Sequence, residues 1–158
     1  MLEWLESTQF SAGIRTELWG WPLALTLHAL ATALTVGFIL IIALRLLGLF
    51  KMIPYTVLDR LFPAFWAALV LEFVSGFMLW MAKPTQYVDD TAFVLKFSLV
   101  IAGIFLTRSF SMTIQRESAA WEVKSAVSSR GVQLATAALL LWCVVLIAGR
   151  LTAHLGAI

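Results

Sequence analysis

Five ionisable side chains, His28, Glu72, Lys96, Arg150 and His154, stand within segments that otherwise carry almost no charge. Ionisable groups in such apolar segments are costly, face other protein groups rather than lipid, and mark functional candidates. His28 and His154 are the only histidines of the chain. Neutral imidazoles from two helices of a membrane bundle can ligate the iron of a b-type haem, with apolar walls setting its potential. Arg150 and Lys96 could pair with haem propionates. Trp21, Phe73, Phe77, Trp80, Phe93 and Phe97 supply flat apolar surface nearby. Plainer roles compete: His154, close to the end of the chain, as an interfacial polar residue, and His28 hydrogen-bonded within the bundle or ligating together with another partner.

Glu72 lies nine residues beyond Pro63, near the expected bilayer middle. A carboxyl there is expensive to ionise without a nearby cation, so it could carry protons or bond a quinone. Lys96 or Arg150 could instead hold it in a static ion pair. His28 with Met78 and Met81 forms an alternative soft-ligand set for Cu(I), although methionine is also ordinary helix-interface filler. The single Cys143 sits mid-span and reads as a packing thiol. Nucleophile elbows, phosphate-binding glycine loops and hydrolase carboxylate pairs are missing from the sequence, which argues against hydrolytic and nucleotide-driven functions.

The elements that must position these residues are membrane helices. The 158 residues are 61% hydrophobic and 13% charged, with mean hydropathy +0.94. Stretches 18–44, 61–82, 91–107 and 131–149 are each about long enough to cross a hydrocarbon core of roughly 30 Å. The expected fold is all-α: one integral membrane four-helix bundle over 1–158, with spans at about 19–50, 61–82, 91–114 and 131–154. A short N-terminal interfacial helix is expected over 2–18, with Leu2, Leu5, Phe10, Ile14, Leu18 and Trp19 on lipid and Glu3, Glu6, Gln9, Arg15 and Glu17 in water. No basic segment precedes a short apolar run, so a cleaved signal peptide is not expected. Asp89-Asp90 would cap span three, and short connections make consecutive spans antiparallel neighbours.

Helical periodicity aligns His28, Thr32 and Thr35 on span one, and Glu72, Ser75 and Gly76 on span two. It likewise aligns Lys96, Gly103 and Thr107 on span three, and Cys143, Arg150 and His154 on span four. All four stripes should face the bundle interior. Basic residues concentrate in the connection between spans one and two (Arg45, Lys51, Arg60) and in that between spans three and four (Arg108, Arg116, Lys124, Arg130). This asymmetry predicts both connections in the cytoplasm and both termini outside, which for a bacterial inner-membrane protein means periplasmic. If Lys51 and Arg130 mark the inner boundary, His28 and His154 share a level about 35 Å from it. If Arg45 marks it instead, His28 lies roughly 10 Å deeper than His154.

The run WPLALTLH at 21–28, then Gly37 and RLLGL at 45–49, resembles the first span of an uncharacterised family of small four-span bacterial membrane proteins. TAFVLK at 91–96 is similar to the start of span three in that family and in the distantly similar copper-resistance D-type membrane domain. The resemblance implies a four-helix bundle with His28 and Lys96 as focal positions. The leading functional expectation is a membrane electron-transfer subunit with one haem b near the outer face, exchanging electrons with quinol and a periplasmic redox partner. The alternatives are a non-catalytic membrane anchor of a larger complex and a copper-handling protein. Partners are the lipid bilayer and other membrane or periplasmic redox subunits, with homo-oligomerisation open; the net charge of +2, explained by the positive-inside pattern, gives no sign of nucleic-acid binding.

Overall fold

The computed structural model describes residues 2–88 and 91–155, leaving undescribed the side chains of Val88, Ala92 and residues 151–155. The expected Asp89-Asp90 cap falls outside these residues. Among the described residues the chain is helical without strands: α1 (Leu2–Glu6), α2 (Gln9–Thr16), α3 (Gly20–Leu46), a 3-10 turn (Tyr55–Leu61), α4 (Phe62–Ala82), α5 (Pro84–Val88), α6 (Thr91–Lys124) and α7 (Ser129–Leu155). Four helical stretches, Gly20–Leu46, Tyr55–Ala82, Phe93–Lys124 and Ser129–Arg150, are long and apolar enough to cross a bilayer. The protein is a multi-pass, four-helix membrane bundle. Its polarity is arranged for lipid: Leu30, Val70, Phe105, Leu140 and Ile147 point outward, whereas Thr35, Arg45, Glu72, Ser75 and Thr107 are buried.

Helix α3 stops at Leu46, short of the expected boundary at residue 50, because Gly48 adopts φ 98°. The Leu49 N–H reaches Leu44 O at 2.9 Å and the Gly48 N–H reaches Arg45 O at 3.2 Å, the pattern of a Schellman C-cap. Arg45 is therefore not a free cation at this end of the bundle, called inner because the positive-inside pattern expects it to face the cytoplasm. It is 6% exposed, donates from Nε to Ile53 O, and lays its guanidinium 3.9 Å from the centre of the Tyr55 ring. Tyr55 in turn meets Trp121 edge to face, and its backbone N–H donates to Glu122 Oε2 at 2.7 Å. These contacts tie the 3-10 turn to the inner part of α6.

Helix α3 packs along α4 and α7, and α6 packs along α7. Spans two and three depart from the expected pattern, since α4 and α6 do not pack along their backbones among the described residues. Their connection carries its own helix, α5, and aromatic side chains fill between them at the inner end, where Phe62 meets Phe110 edge to face. The apolar core, with Ile39, Ile42, Phe65, Ile114 and Trp142, occupies this inner half.

The N-terminal segment is two helices rather than one, broken at Ser7-Thr8, where the Thr8 hydroxyl caps α2 by accepting from the Ser11 N–H. It folds onto the outer end of α4. Ser11 Oγ donates to Met81 O at 2.9 Å, and Arg15 donates to Ala82 O and Glu6 O, both at 2.7 Å. Orphan carbonyls at the α4 terminus are thereby satisfied. Ile14, expected on lipid, is buried with Ala24 and Ala82, and Arg15, expected in water, is half-buried; Leu18 and Trp19 are exposed.

Candidate functional site: a polar cluster in the outer half of the bundle

Periodicity puts His28, Thr32 and Thr35 on one face of α3, and tertiary packing sets that face against Glu72, Ser75 and Gly76 of α4. The His28 Nδ1 and Ser75 Oγ are 3.1 Å apart. Ser75 has one hydroxyl proton, and it is directed to helix carbonyls, Leu71 O at 2.7 Å and Glu72 O at 3.1 Å. With that proton on a carbonyl, the oxygen is free to accept from the ring, an arrangement that favours the neutral His28 tautomer with its proton on Nδ1 and its lone pair on Nε2. The Glu72 carbonyl also lies beside the ring. No hydrogen bond joins Nε2 to a described residue. Gly76 permits this approach: a Cβ there would stand 3.2 Å from His28 Cε1.

One turn deeper, Thr32 Oγ1 stands 2.9 Å from His28 O and 3.1 Å from Glu72 Oε1, with a single hydroxyl proton to give to one or the other. Thr35 stands close to the same carboxyl, but its proton goes to Ala31 O at 2.9 Å. Glu72 is buried, and its Oε2 has no hydrogen-bond partner. Lys96 of α6 acts electrostatically on both Glu72 and His28. This is a through-space interaction, for the only ion pair within 4.0 Å among the described residues joins Arg15 to Glu6. The Lys96 stem lies along α7, its Cε and Nζ each 3.3 Å from where a Gly149 Cβ would be.

The other polar positions divide. Thr107 faces inward and accepts from Trp142 Nε1–H at 3.0 Å, with Gly103 giving the indole its room. Arg150 is exposed instead of facing the interior, because Trp142, Val145 and Gly149 take the inward face of α7. His154 lies in the last turn of α7, and its side chain is outside the described residues. Since α3 ends at Leu46, the premise that would level the two histidines fails. Gly149 is the α7 residue level with the cluster, and His154 lies about 7 Å further out along the helix. Met78 packs with Ile14, Ala24 and Ala82 and lines, with Leu23 and Leu27, a cleft of about 390 Å³ to which His28 does not contribute. Met81 enters the structure through its backbone carbonyl, bound by Ser11.

Sequence reading missed the capping roles of Ser11 and Arg15 and the inner lock of Arg45 with Tyr55. A polar residue bonding a carbonyl some seventy positions away leaves no periodic trace. Compared with known proteins, the chain matches no family model, no curated protein and no solved structure.

Proposed function

We propose that this protein is an electron-transfer subunit of a bacterial inner membrane, with both termini periplasmic. In this reading it holds one b-type haem near the outer face and passes electrons between quinol and a periplasmic redox partner. The observation that carries the reading is the 3.1 Å contact of His28 Nδ1 with Ser75 Oγ, with no described hydrogen bond at Nε2. An imidazole pinned through Nδ1–H, with its Nε2 lone pair unengaged, is the arrangement metal-ligating histidines use. The donor set fits haem: Arg150, exposed on the outer part of α7, is available to a propionate, and Phe77 and Trp80 stack as a flat apolar surface with centroids 5.7 Å apart. His28 and His154 would hold the iron. When bound, the haem supplies one-electron chemistry, while Ser75 orients the imidazole.

The orientation is supported by the exposed cations Lys51, Arg60, Arg108, Arg116, Lys124 and Arg130 at one end of the bundle. At the other end Arg15 is paired with Glu6, which leaves Lys83 and Arg150 as the exposed cations there. Copper handling has weaker support, because Met78 packs toward α2.

Protein purified from its native membrane with its partners retained is expected to show b-type bands that respond to dithionite. His28→Ala should lose the haem or convert it to high spin. His154→Ala should do the same, whereas an unchanged spectrum would move the second ligand to a partner subunit. A preparation without haem would overturn the reading and leave an accessory membrane anchor in its place.

A further inference from the structure

The α4–α6 seam is filled by buried aromatic rings at its inner end and carries an exposed aromatic ring further out. Phe62 and Phe110, 2% and 0% exposed, seal it with ring centroids 6.2 Å apart. Three helical turns outward on the same faces stand Phe73 of α4 and Leu99 of α6. Phe73 is 41% exposed, and the two backbones do not pack against each other among the described residues. Phe73 thus meets lipid at the outer half of the seam, while Leu99 opposite it is partly buried.

Directly behind Phe73 in sequence is Glu72, 7% exposed, with Oε1 3.1 Å from Thr32 Oγ1 and Oε2 buried and unpartnered. Buried polar atoms are nearly always hydrogen-bonded, so an orphaned carboxyl oxygen is a marked exception. On the α6 side stands Lys96, which interacts with this carboxyl through space, forms no ion pair with it within 4.0 Å, and donates to no described residue. An acceptor of α4 without a partner and a cation of α6 without an ion pair therefore act on each other inside the bundle, behind the seam.

The chemistry of the occupant follows. An anionic head would be repelled by a Glu72 carboxylate and a cationic head by Lys96, so the head is neutral. It must donate a hydrogen bond to Glu72 and accept one from Lys96. Entry between an aromatic and a branched aliphatic side chain favours a flat ring, and the lipid outside favours an apolar tail. We propose that the outer α4–α6 seam binds a quinol-class headgroup, its hydroxyl donating to Glu72 Oε2 and its opposite oxygen accepting from Lys96. The flexible Lys96 stem, lying on the bare backbone of Gly149, swings to admit it. This deepens the redox reading above but rests on it only for the destination of the electrons; binding itself is independent of haem.

The test uses full-length protein in phosphatidylcholine nanodiscs and decylubiquinol carrying a photoreactive azide. Saturable labelling is expected on the peptides containing Phe73 and Leu99. Apparent affinity should fall about tenfold in Glu72→Gln and in Lys96→Met. Phe73→Trp, which keeps both polar groups but fills the entrance, should reduce labelling in protein whose circular dichroism and melting match wild type, so the test survives if a polar variant fails to fold. Unsaturable labelling, labelling centred on the cleft of Phe10 and Leu23, or wild-type affinity in all three variants would overturn the site. Equal competition by phosphatidylglycerol would assign the seam to lipid and overturn it too. Seam labelling without haem bands would sink the cytochrome reading alone, and haem bands without seam labelling would sink this one alone.

Discussion

At the scale of single residues, the cluster is governed by how many protons and lone pairs each group has to offer. Ser75 spends its proton on a helix carbonyl, which leaves its oxygen free to accept from His28 Nδ1. Ser75→Ala removes that acceptor without opening the helix interface much, since the methylene stays. Haem affinity is expected to drop about 10–100-fold, as for other partners that orient a ligating histidine. Titration of haem into apoprotein would measure it, and unchanged affinity would show that the hydroxyl does not orient a ligand. A second residue-scale effect concerns Trp142, whose indole N–H is buried against Thr107 Oγ1. Thr107→Val keeps the shape but strands the donor, at an expected cost of about 1–2 kcal/mol. Reversible unfolding in mixed detergent micelles would detect that loss.

Helices here are ended by local chemistry and aimed by distant contacts. The positive φ of Gly48 turns the chain out of α3, so that Arg45 can reach Ile53 O and the Tyr55 ring. Alanine at position 48 must hold the same left-handed backbone with a Cβ, at roughly 1–2 kcal/mol. Gly48→Ala is expected to lower the unfolding midpoint while leaving the outer cluster intact. A shift in the haem spectrum of that variant would mean that the inner turn and the outer cluster are coupled. A different constraint acts at Gly131, where a Cβ would come within 2.9 Å of the Trp121 ring. There the glycine is needed for the close α6–α7 approach rather than for an unusual backbone.

For the whole molecule, the decisive asymmetry is between the two ends of the bundle. The inner half is packed with aromatic and branched side chains, and the outer half holds the ionisable cluster and the exposed ring of Phe73. Which end meets the cytoplasm rests on the distribution of exposed cations. Met52 and Val123, 97% and 87% exposed at the inner end, are suitable reporters, as is Glu17 at the outer end. In a Cys143→Ala background, Glu17→Cys should react with a membrane-impermeant maleimide in intact cells. Met52→Cys and Val123→Cys should react only after lysis. The reverse pattern would turn the bundle over and put His28 and Glu72 in the cytoplasmic half.

The sequence alone determined the number of spans and the polar stripes of α3 and α4. Both are set locally: backbone hydrogen bonds must close within each helix in lipid, and the helical repeat fixes which residues share a face. The end of α3 is local in origin too, at the left-handed Gly48, although the expected span ran past it to residue 50. Tertiary structure alone decided which stripe meets which, that His28 is pinned by Ser75, that Glu72 keeps one unpaired oxygen, and that Lys96 stands off from it. It also turned Arg150 outward, drew Arg45 inward, and kept α4 apart from α6. Those outcomes depend on the rotation and spacing of whole helices. They are set by interlocking contacts such as Trp142 on Gly103 and Phe62 on Phe110, which join residues far apart in the chain and leave no periodic mark in it.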